Sequence, residues 1–305
     1  MNRDIIVLGS MNVDFVVTVK RRPGKGETVP GYEFSIFPGG KGANQAVAAA
    51  KLGGKVAMAG RIGDDVFSKV VLDSLSSAGV GDELIVTTQD VPTGSAFITV
   101  DEKGENSIIV VPGANGYCSK ADVDALRPYL EKAKMLMLQL EIPLETVEYA
   151  VSIARSCGTR VMLDPAPPVP LSEELLRGID ILTPNEHEAS FLTGRQVVDV
   201  ESARLAASDL LNAGARAVVI KLGGRGLVYA EEGNSGSIPG HRVQAVDTTA
   251  AGDAFAGGLA VALCEGNSLE EACRFANAVG ALAVTRKGAQ TSMPERRELE
   301  VFLQV

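Results

Sequence analysis

Short apolar runs alternate with stretches of helical periodicity through most of the 305-residue chain. The runs Ile5 to Gly9, Lys55 to Ala59, Met135 to Gln139, Arg160 to Leu163, Asp180 to Leu182 and Ala217 to Lys221 read as strands buried on both faces, the pattern of a parallel sheet. Apolar residues at helical spacing predict helices over roughly Ala43 to Leu52, Asp65 to Ala78, Ala121 to Glu131, Leu144 to Ser156, Glu186 to Thr193 and Ser202 to Ala213. Gly53, Gly79, Gly158 and Gly214 fall just past four of them, where a left-handed residue closes a helix. This alternation predicts an α/β fold, a wound, mostly parallel sheet covered by helices in three layers.

Two stretches depart from that pattern by alternating apolar and polar residues between turn signals. Asp14 to Lys20 with Tyr32 to Phe37, and Ser95 to Val100 with Ser107 to Val111, predict antiparallel strands with one solvated face. They form a small appended sheet, spanning about 14–37 and 95–111, that would serve as a lid, as a dimer interface, or as both. The last third is mostly helical, with a glycine-rich helix after Gly252 and a second helix opened by a capping box of Ser268 and Glu271. No repeat or linker interrupts the chain, so residues 1–305 are read as a single unit carrying the lid sheet.

Composition narrows the partners. Apolar residues make up 46% of the chain, ample for a core, and 29 basic against 38 acidic residues leave a net charge of −9. With no block of consecutive basic residues, nucleic acid and anionic membranes are poor partners, and a small molecule is expected. Cys118, Cys157, Cys264 and Cys273 show no C-x-x-C spacing, and two histidines do not make a zinc site. Met1-Asn2-Arg3-Asp4 leads into only four apolar residues, too few for a signal segment, so a cytoplasmic protein with reduced thiols is expected.

The densest chemical signal is Asp247-Thr248-Thr249-Ala250-Ala251-Gly252-Asp253, a run of small residues ending in a carboxylate where a helix begins. Unpaired N–H groups at a helix start attract an anion, and alanine and glycine let a phosphate approach them closely. Asp253 would be repelled by a bare phosphate, so its natural role is as base toward a hydroxyl that attacks one. The alternative is an aspartate that merely charges the first turn. Gly252, Gly257 and Gly258 weaken that helix against alanine, which points to close approach of a ligand or of backbone.

Other candidates carry two readings each. Gly39-Gly40-Lys41-Gly42-Ala43-Asn44 is not a Walker loop, because Gly42 follows the lysine; it is either a tight turn or a polyol site with Lys41 and Asn44 as donors. Asn12 and Asp14 follow the first strand, where α/β sheets bind ligands, or else start the next strand as an Asx turn. Glu141 is a strand-end acceptor or a surface residue. Asn185 and Glu188 form a capping box or serve a hydrated magnesium ion. Lys221-Leu222-Gly223-Gly224-Arg225-Gly226 is a nucleotide-binding turn or a plain hairpin. His187 and His241 have no nucleophile at a recognisable spacing, and G-x-S-x-G is absent.

Taken together, Gly39 to Ala46 and Asp247 to Asp253 correspond to the two signature regions of the ribokinase-like (phosphofructokinase-B type) carbohydrate kinases, which the chain resembles over its whole length. The resemblance implies ATP-dependent phosphorylation of D-ribose at O5, with Asp253 as base and Ala251, Gly252 and Asp253 as the anion hole. It places the sugar against Asn12, Asp14, Gly40, Lys41, Gly42, Ala43, Asn44 and Glu141, and ATP against Asn185, Lys221 to Gly226, Gly252 and Asn277. Magnesium is implied near Asn185 and Glu188. A monovalent cation, usually potassium, is implied at Asp247, Thr249, Ala283, Arg286, Gly288 and Ser292, and a homodimer through the lid sheet. 2-Deoxyribose, fructose and nucleosides are the rival acceptors within the family. A non-catalytic sugar or nucleotide sensor is the rival outside it, and an intact Asp253 argues against that.

Overall fold

The computed structural model describes residues 3–304; Met1, Asn2 and Val305 lie outside the described residues, and with them part of the N-terminal stretch read above. In chain order the elements are β1 (Ile5–Leu8), β2 (Asn12–Val19), β3 (Gly31–Gly39), α1 (Lys41–Lys51), β4 (Val56–Gly63), α2 (Ser68–Ser77), β5 (Gly81–Thr88), β6 (Gly94–Val100) and β7 (Asn106–Val111). There follow α3 (Lys120–Leu130), β8 (Met135–Leu138), α4 (Leu144–Cys157), β9 (Arg160–Leu163), α5 (Glu173–Leu176), β10 (Ile181–Leu182), α6 (Glu186–Thr193) and α7 (Val200–Asn212). The chain closes with β11 (Ala217–Lys221), β12 (Leu227–Glu231), β13 (Asn234–Ile238), α8 (Ala251–Cys264), α9 (Leu269–Ala283) and α10 (Arg296–Leu303).

Nine strands form one sheet in the order β13-β12-β11-β10-β9-β8-β1-β4-β5, parallel except where β12 meets β11 and β13. Alternation along β1 divides the core: Ile5 and Val7 pack on one face with α1, α8 and α9, while Ile6 and Leu8 pack on the other with α3, α4 and α7. A strand buried on both sides has no polar alternation, which is why these segments read as continuous apolar runs. The chain leaves β1 in one direction to β4 and in the other to β8, so the sheet reverses its winding there, and a crevice opens beyond the carboxyl ends of the strands.

The remaining four strands make a separate sheet, ordered β3-β2-β6-β7. Its outer pairs are antiparallel, as expected, but β2 and β6 run parallel at its centre. β2 follows β1 and β6 follows β5, two strands that run the same way in the main sheet. The sheet's two faces differ. One carries Asp14, Val16 and Ser35 toward the crevice, and the other carries Phe15, Phe34 and Phe97, with Phe15 stacked on Phe97 at 5.2 Å.

Four predicted helix ends carry glycines with positive φ, namely Gly53, Gly79, Gly158 and Gly214. β4 extends four residues beyond the expected Ala59, and β5, β13 and α10 were not expected at all. Alternating strands with polar edges carry too little apolar signal to stand out from loops.

Candidate active site

The glycines before α1 answer first to backbone packing. Gly40 adopts φ 88°, and a Cβ added to Gly42 would lie 2.7 Å from both the N and O of Ser10, just past β1. The tight-turn reading of this run therefore holds, and it is also what brings α1 against the strand end. At the start of α1, Glu141 Oε2 accepts the Lys41 N–H at 3.1 Å and the Ser10 hydroxyl at 2.5 Å. Glu141 is thus a half-buried partner of a helix N-terminus rather than a surface residue.

Asp253 lies in the first turn of α8, 5% exposed. Ala250, before it, takes the left-handed conformation at φ 57°, uncommon for a residue with a Cβ. Ala251 N–H reaches the Thr248 carbonyl at 3.3 Å, and among the described residues no acceptor meets the N–H groups of Gly252 and Asp253. Two of the three expected amides are therefore free to face an anion. An added Cβ on Gly252 would sit 3.4 Å from Lys221 Nζ, so an ammonium group also overhangs this helix start. Gly257 and Gly258 have a different explanation. A Cβ on Gly257 would come within 2.8 Å of Ala49 N in α1, and one on Gly258 within 2.9 Å of Val279 in α9, so those two serve helix packing.

The Asp253 carboxylate accepts hydrogen bonds from Asn44 Nδ2 at 3.0 Å and Gln45 Nε2 at 3.2 Å. Burial raises its pKa; the Lys41 ammonium opposes this, Asp164 adds to it, and the balance lies at about 6. Asp14, half-buried on β2, is raised to about 7 by burial and by the charges of Glu141 and Asp253, and no described side chain donates to it. Lys41 is pushed down by burial, but the carboxylates of Asp253, Asp164, Glu141 and Glu188 outweigh this and keep it firmly protonated. Asn12, buried at 4% exposure, accepts Asn115 Nδ2 at 2.7 Å through its Oδ1, so its own amide N–H₂ is the group left to donate. Asn12, Asp14, Lys41, Asn44, Glu141 and Asp253 are thus brought together as the sequence suggested. Ala43 contributes no side chain, being fully buried in the core.

A cleft of about 770 Å³ opens beside the start of α8, lined by Asn185, Lys221, Gly223, Gly224, Gly226, Gly252 and Asn277 among others. Two members of the expected nucleotide run do not line it. Leu222 turns into the core at 2% exposure, and the Arg225 guanidinium pairs with Glu186 and the Val198 carbonyl on the outside. The turn 223–225 is a single 3₁₀ turn leading into β12, so this segment is both a hairpin and a cleft wall. His241, Arg242 and Phe255 also line the cleft and carried no sequence signal beyond their type. A second cavity of about 800 Å³ lies between the small sheet and residues 245–249 and 287–289, and both cavities touch Ala245 and Thr248.

Asn185 and Glu188 form a reciprocal capping box, with Glu188 Oε2 accepting the Asn185 N–H and Oε1 accepting its Nδ2, each at 2.7 Å. Their oxygens are largely spent on each other. Among the described residues no group of three His, Cys, Asp or Glu side chains could hold a metal ion. The pair therefore fits magnesium-bound water better than the ion itself. Asp247 accepts the N–H groups of Thr249 and Gly288, each at 2.9 Å. Burial pushes its pKa up, but these bonds prevail and hold it below the usual carboxylate range. The Arg286 side chain is committed to Glu298, Ser292 donates to the Ala289 carbonyl, and the Ala283 carbonyl accepts the Arg286 N–H, so of the expected cation positions Asp247 is the one that brings a charge.

A buried carboxylate beside free helix-start amides, between a polar pocket and a nucleotide-sized cleft at the reversal point of a wound sheet, is the architecture of a small-molecule kinase. Residues 2–296 match the model of the pfkB family carbohydrate kinases. The chain is 46% identical to a ribokinase of Haemophilus influenzae, across 100% of this chain and 99% of that one. It is 36% identical to a deoxyribokinase of Salmonella typhi, with 98% of each covered. The structure of Arabidopsis thaliana ribokinase with ribose and ATP superposes with a TM-score of 0.92 at 36% identity, covering both chains completely. The chain belongs to the pfkB family of carbohydrate kinases.

Proposed function

We propose that this protein transfers the γ-phosphoryl group of ATP to O5 of D-ribose, giving ribose 5-phosphate and ADP. The observation that carries the reading is Asp253, buried and hydrogen-bonded, with the free amides of Gly252 and of its own backbone beside it. Ribose occupies the pocket of Asn12, Asp14, Lys41, Asn44 and Glu141, with O5 at Asp253, and ATP fills the cleft along Lys221, Gly223, Gly224 and Gly226. As the bond from γ-phosphorus to the bridging oxygen breaks, the O5–phosphorus bond forms and the O5 proton passes to Asp253. A base with pKa about 6 is ionised at neutral pH yet close enough to accept that proton. The amides of Gly252 and Asp253, with Lys41 and Lys221, stabilise the charge on the transferring group.

Asn185 and Glu188 would hold water of a magnesium ion bound to ATP, and that ion would supply charge neutralisation at the phosphates. Asp247, with backbone carbonyls of Thr249, Ala283, Arg286 and Gly288 and with Ser292, would hold a potassium ion, which would stiffen the loop that leads to the anion hole. Omitting K⁺ from the assay should therefore depress turnover. The four-stranded sheet is the lid of a single kinase unit. Its outer face, with Tyr32 61%, Phe34 60% and Ile109 68% exposed, is the surface of a homodimer. Light scattering that gives a monomer mass would refute the dimer. No described helix is long and apolar enough to cross a membrane, and four free thiols suit a reducing cytoplasm.

2-Deoxyribose is the second acceptor to weigh, because the Salmonella relative is a deoxyribokinase. Asn12 and Asp14 together offer the sugar a donor and an unpaired carboxylate acceptor, which favours the fully hydroxylated pentose. A coupled ADP-formation assay over ribose, 2-deoxyribose, fructose and nucleosides tests both readings. Absence of turnover on ribose, or faster turnover on 2-deoxyribose, would overturn the assignment.

A further inference from the structure

Gln45 has a fully buried side chain on the inward face of α1, where its neighbours Ala46 and Val47 are apolar. Its Nε2 has two hydrogens and two acceptors, Asp253 Oδ1 at 3.2 Å and Asp164 Oδ2 at 2.9 Å. Its Oε1 accepts Gln139 Nε2 at 2.7 Å. The two carboxylates fix the amide, because a flipped Gln45 would aim its oxygen at both of them, and Gln139 then turns its N–H₂ toward Gln45 although its own Oε1 is buried without a partner among the described residues. Asp164, just past β9 and 3% exposed, gives its other oxygen to Lys221 Nζ at 2.8 Å. Lys221 in turn lines the nucleotide cleft. An unbroken chain of contacts therefore runs from the cleft to the proposed base.

Such a chain is costly as mere packing. Two carboxylates in a dry interior repel each other and tend to bind a proton between them unless donors and a cation hold both ionised. An apolar side chain at position 45 would fill the same space with no polar group to satisfy. Every hydrogen bond that Gln45 makes through its side chain goes to an acid of this network or to the amide that orients it.

We propose that Gln45 is a positioning residue for phosphoryl transfer: it keeps the Asp253 carboxylate ionised and aimed by donating to it from an amide that Asp164 and Gln139 hold in place. The inference rests on the kinase reading given above. The charged and titratable groups around Asp253 are Lys41 on α1, Asp14 on β2, Glu141 past β8, Asp164 past β9, Glu188 on α6 and Lys221 at the end of β11. Among them, Asp164 is the one that shares a hydrogen-bond donor with Asp253 through Gln45.

The test is the pH dependence of kcat with saturating ribose and MgATP for the wild type, Gln45→Met and Asp164→Asn, each checked for folding by circular dichroism. Gln45→Met removes a donor from a buried anion, so kcat falls about 10- to 100-fold, and the pH below which turnover is lost rises by about one unit. The KM for ribose changes less than kcat. Asp164→Asn removes a like charge and leaves Lys221 unpaired, so its acid limb moves the other way, to lower pH. Damage to packing alone would lower kcat without moving the two limbs in opposite directions. Should Gln45→Met not fold, Gln45→Asn, whose shorter amide cannot reach both acids, takes its place with the same upward shift expected. Limbs that stay in place or move together overturn this inference alone, whereas a wild type with no ribose turnover overturns the kinase reading beneath it.

Discussion

Replacing Asp253 with asparagine sets activity against stability at one atom pair. Loss of a general base costs roughly 10²- to 10⁴-fold in kcat. The same carboxylate has a folded pKa of about 6 against an ordinary 3.8, so keeping it ionised in the fold at neutral pH costs about 3 kcal/mol. Asparagine removes that cost, but it must present an N–H₂ group to one of the two donors, Asn44 or Gln45, which returns about 1–2 kcal/mol. The variant should therefore be more stable than the wild type by about 1–2 kcal/mol at pH 8, a rise in Tm of roughly 2–4 °C. The sign follows from proton uptake: the folded wild type binds a proton more tightly than the unfolded chain, so its penalty is absent below the unfolded pKa and complete above the folded one. The variant's advantage should shrink as pH falls from 7 and turn into a small deficit near pH 4, where only the asparagine's cost remains. Thermal melts across that range, alongside coupled ADP formation, measure both effects. A variant that turns over normally, or is less stable at pH 8 by a margin independent of pH, would refute the reasoning.

Two further outcomes follow from neighbouring geometry. Asp14→Asn should raise the KM for ribose about 10- to 100-fold while kcat changes less, since a charged acceptor for a sugar hydroxyl is lost. With the Asp14 pKa at about 7, the wild-type KM should also climb as pH drops below 7, and a variant showing the same climb would clear Asp14 of that role. Gly257→Ala forces a methyl to 2.7 Å from Ala48 Cβ and 2.8 Å from Ala49 N, where α8 meets α1. The overpacking should cost about 1–3 kcal/mol, and an unchanged melting temperature would show that the helices have room to part.

The parallel sheet was legible because its strands are buried on both faces, so β1, β8, β9 and β11 stand out as apolar runs with helices between them. β5 and β13 were not legible, since Gly81-Asp82-Glu83 and Asn234-Ser235-Gly236 open edge strands with residues that also make loops. Asp253 and the run at Lys41 were found because helix-start chemistry and glycine spacing are local. Gln45, Asp164 and Gln139 were missed because their contacts span more than ninety residues of sequence. Two signals were nevertheless present. Gln45 is polar on a helix face that is otherwise alanine and valine, and Asp164 follows a strand just as Asn12 and Glu141 do. The glycines of α8 also divided by cause: Gly252 borders the site, whereas Gly257 and Gly258 admit neighbouring helices, a distinction that depends on tertiary placement.

The small sheet is rooted at one end. Only Gly9 to Met11 separate β1 from β2, and Asn115 clasps that joint by accepting from the Met11 N–H and donating to the Met11 carbonyl and to Asn12 Oδ1. Whatever travel the sheet has must grow with distance from this clasp, like a door swinging on its jamb. The residues nearest the hinge, Asn12 and Asp14, would keep their station throughout the swing, while the tips near Arg21 to Pro30 and Asp101 to Glu105 sweep the widest arc. Opening would thus admit a ligand without dismantling the part of the pocket that recognises it.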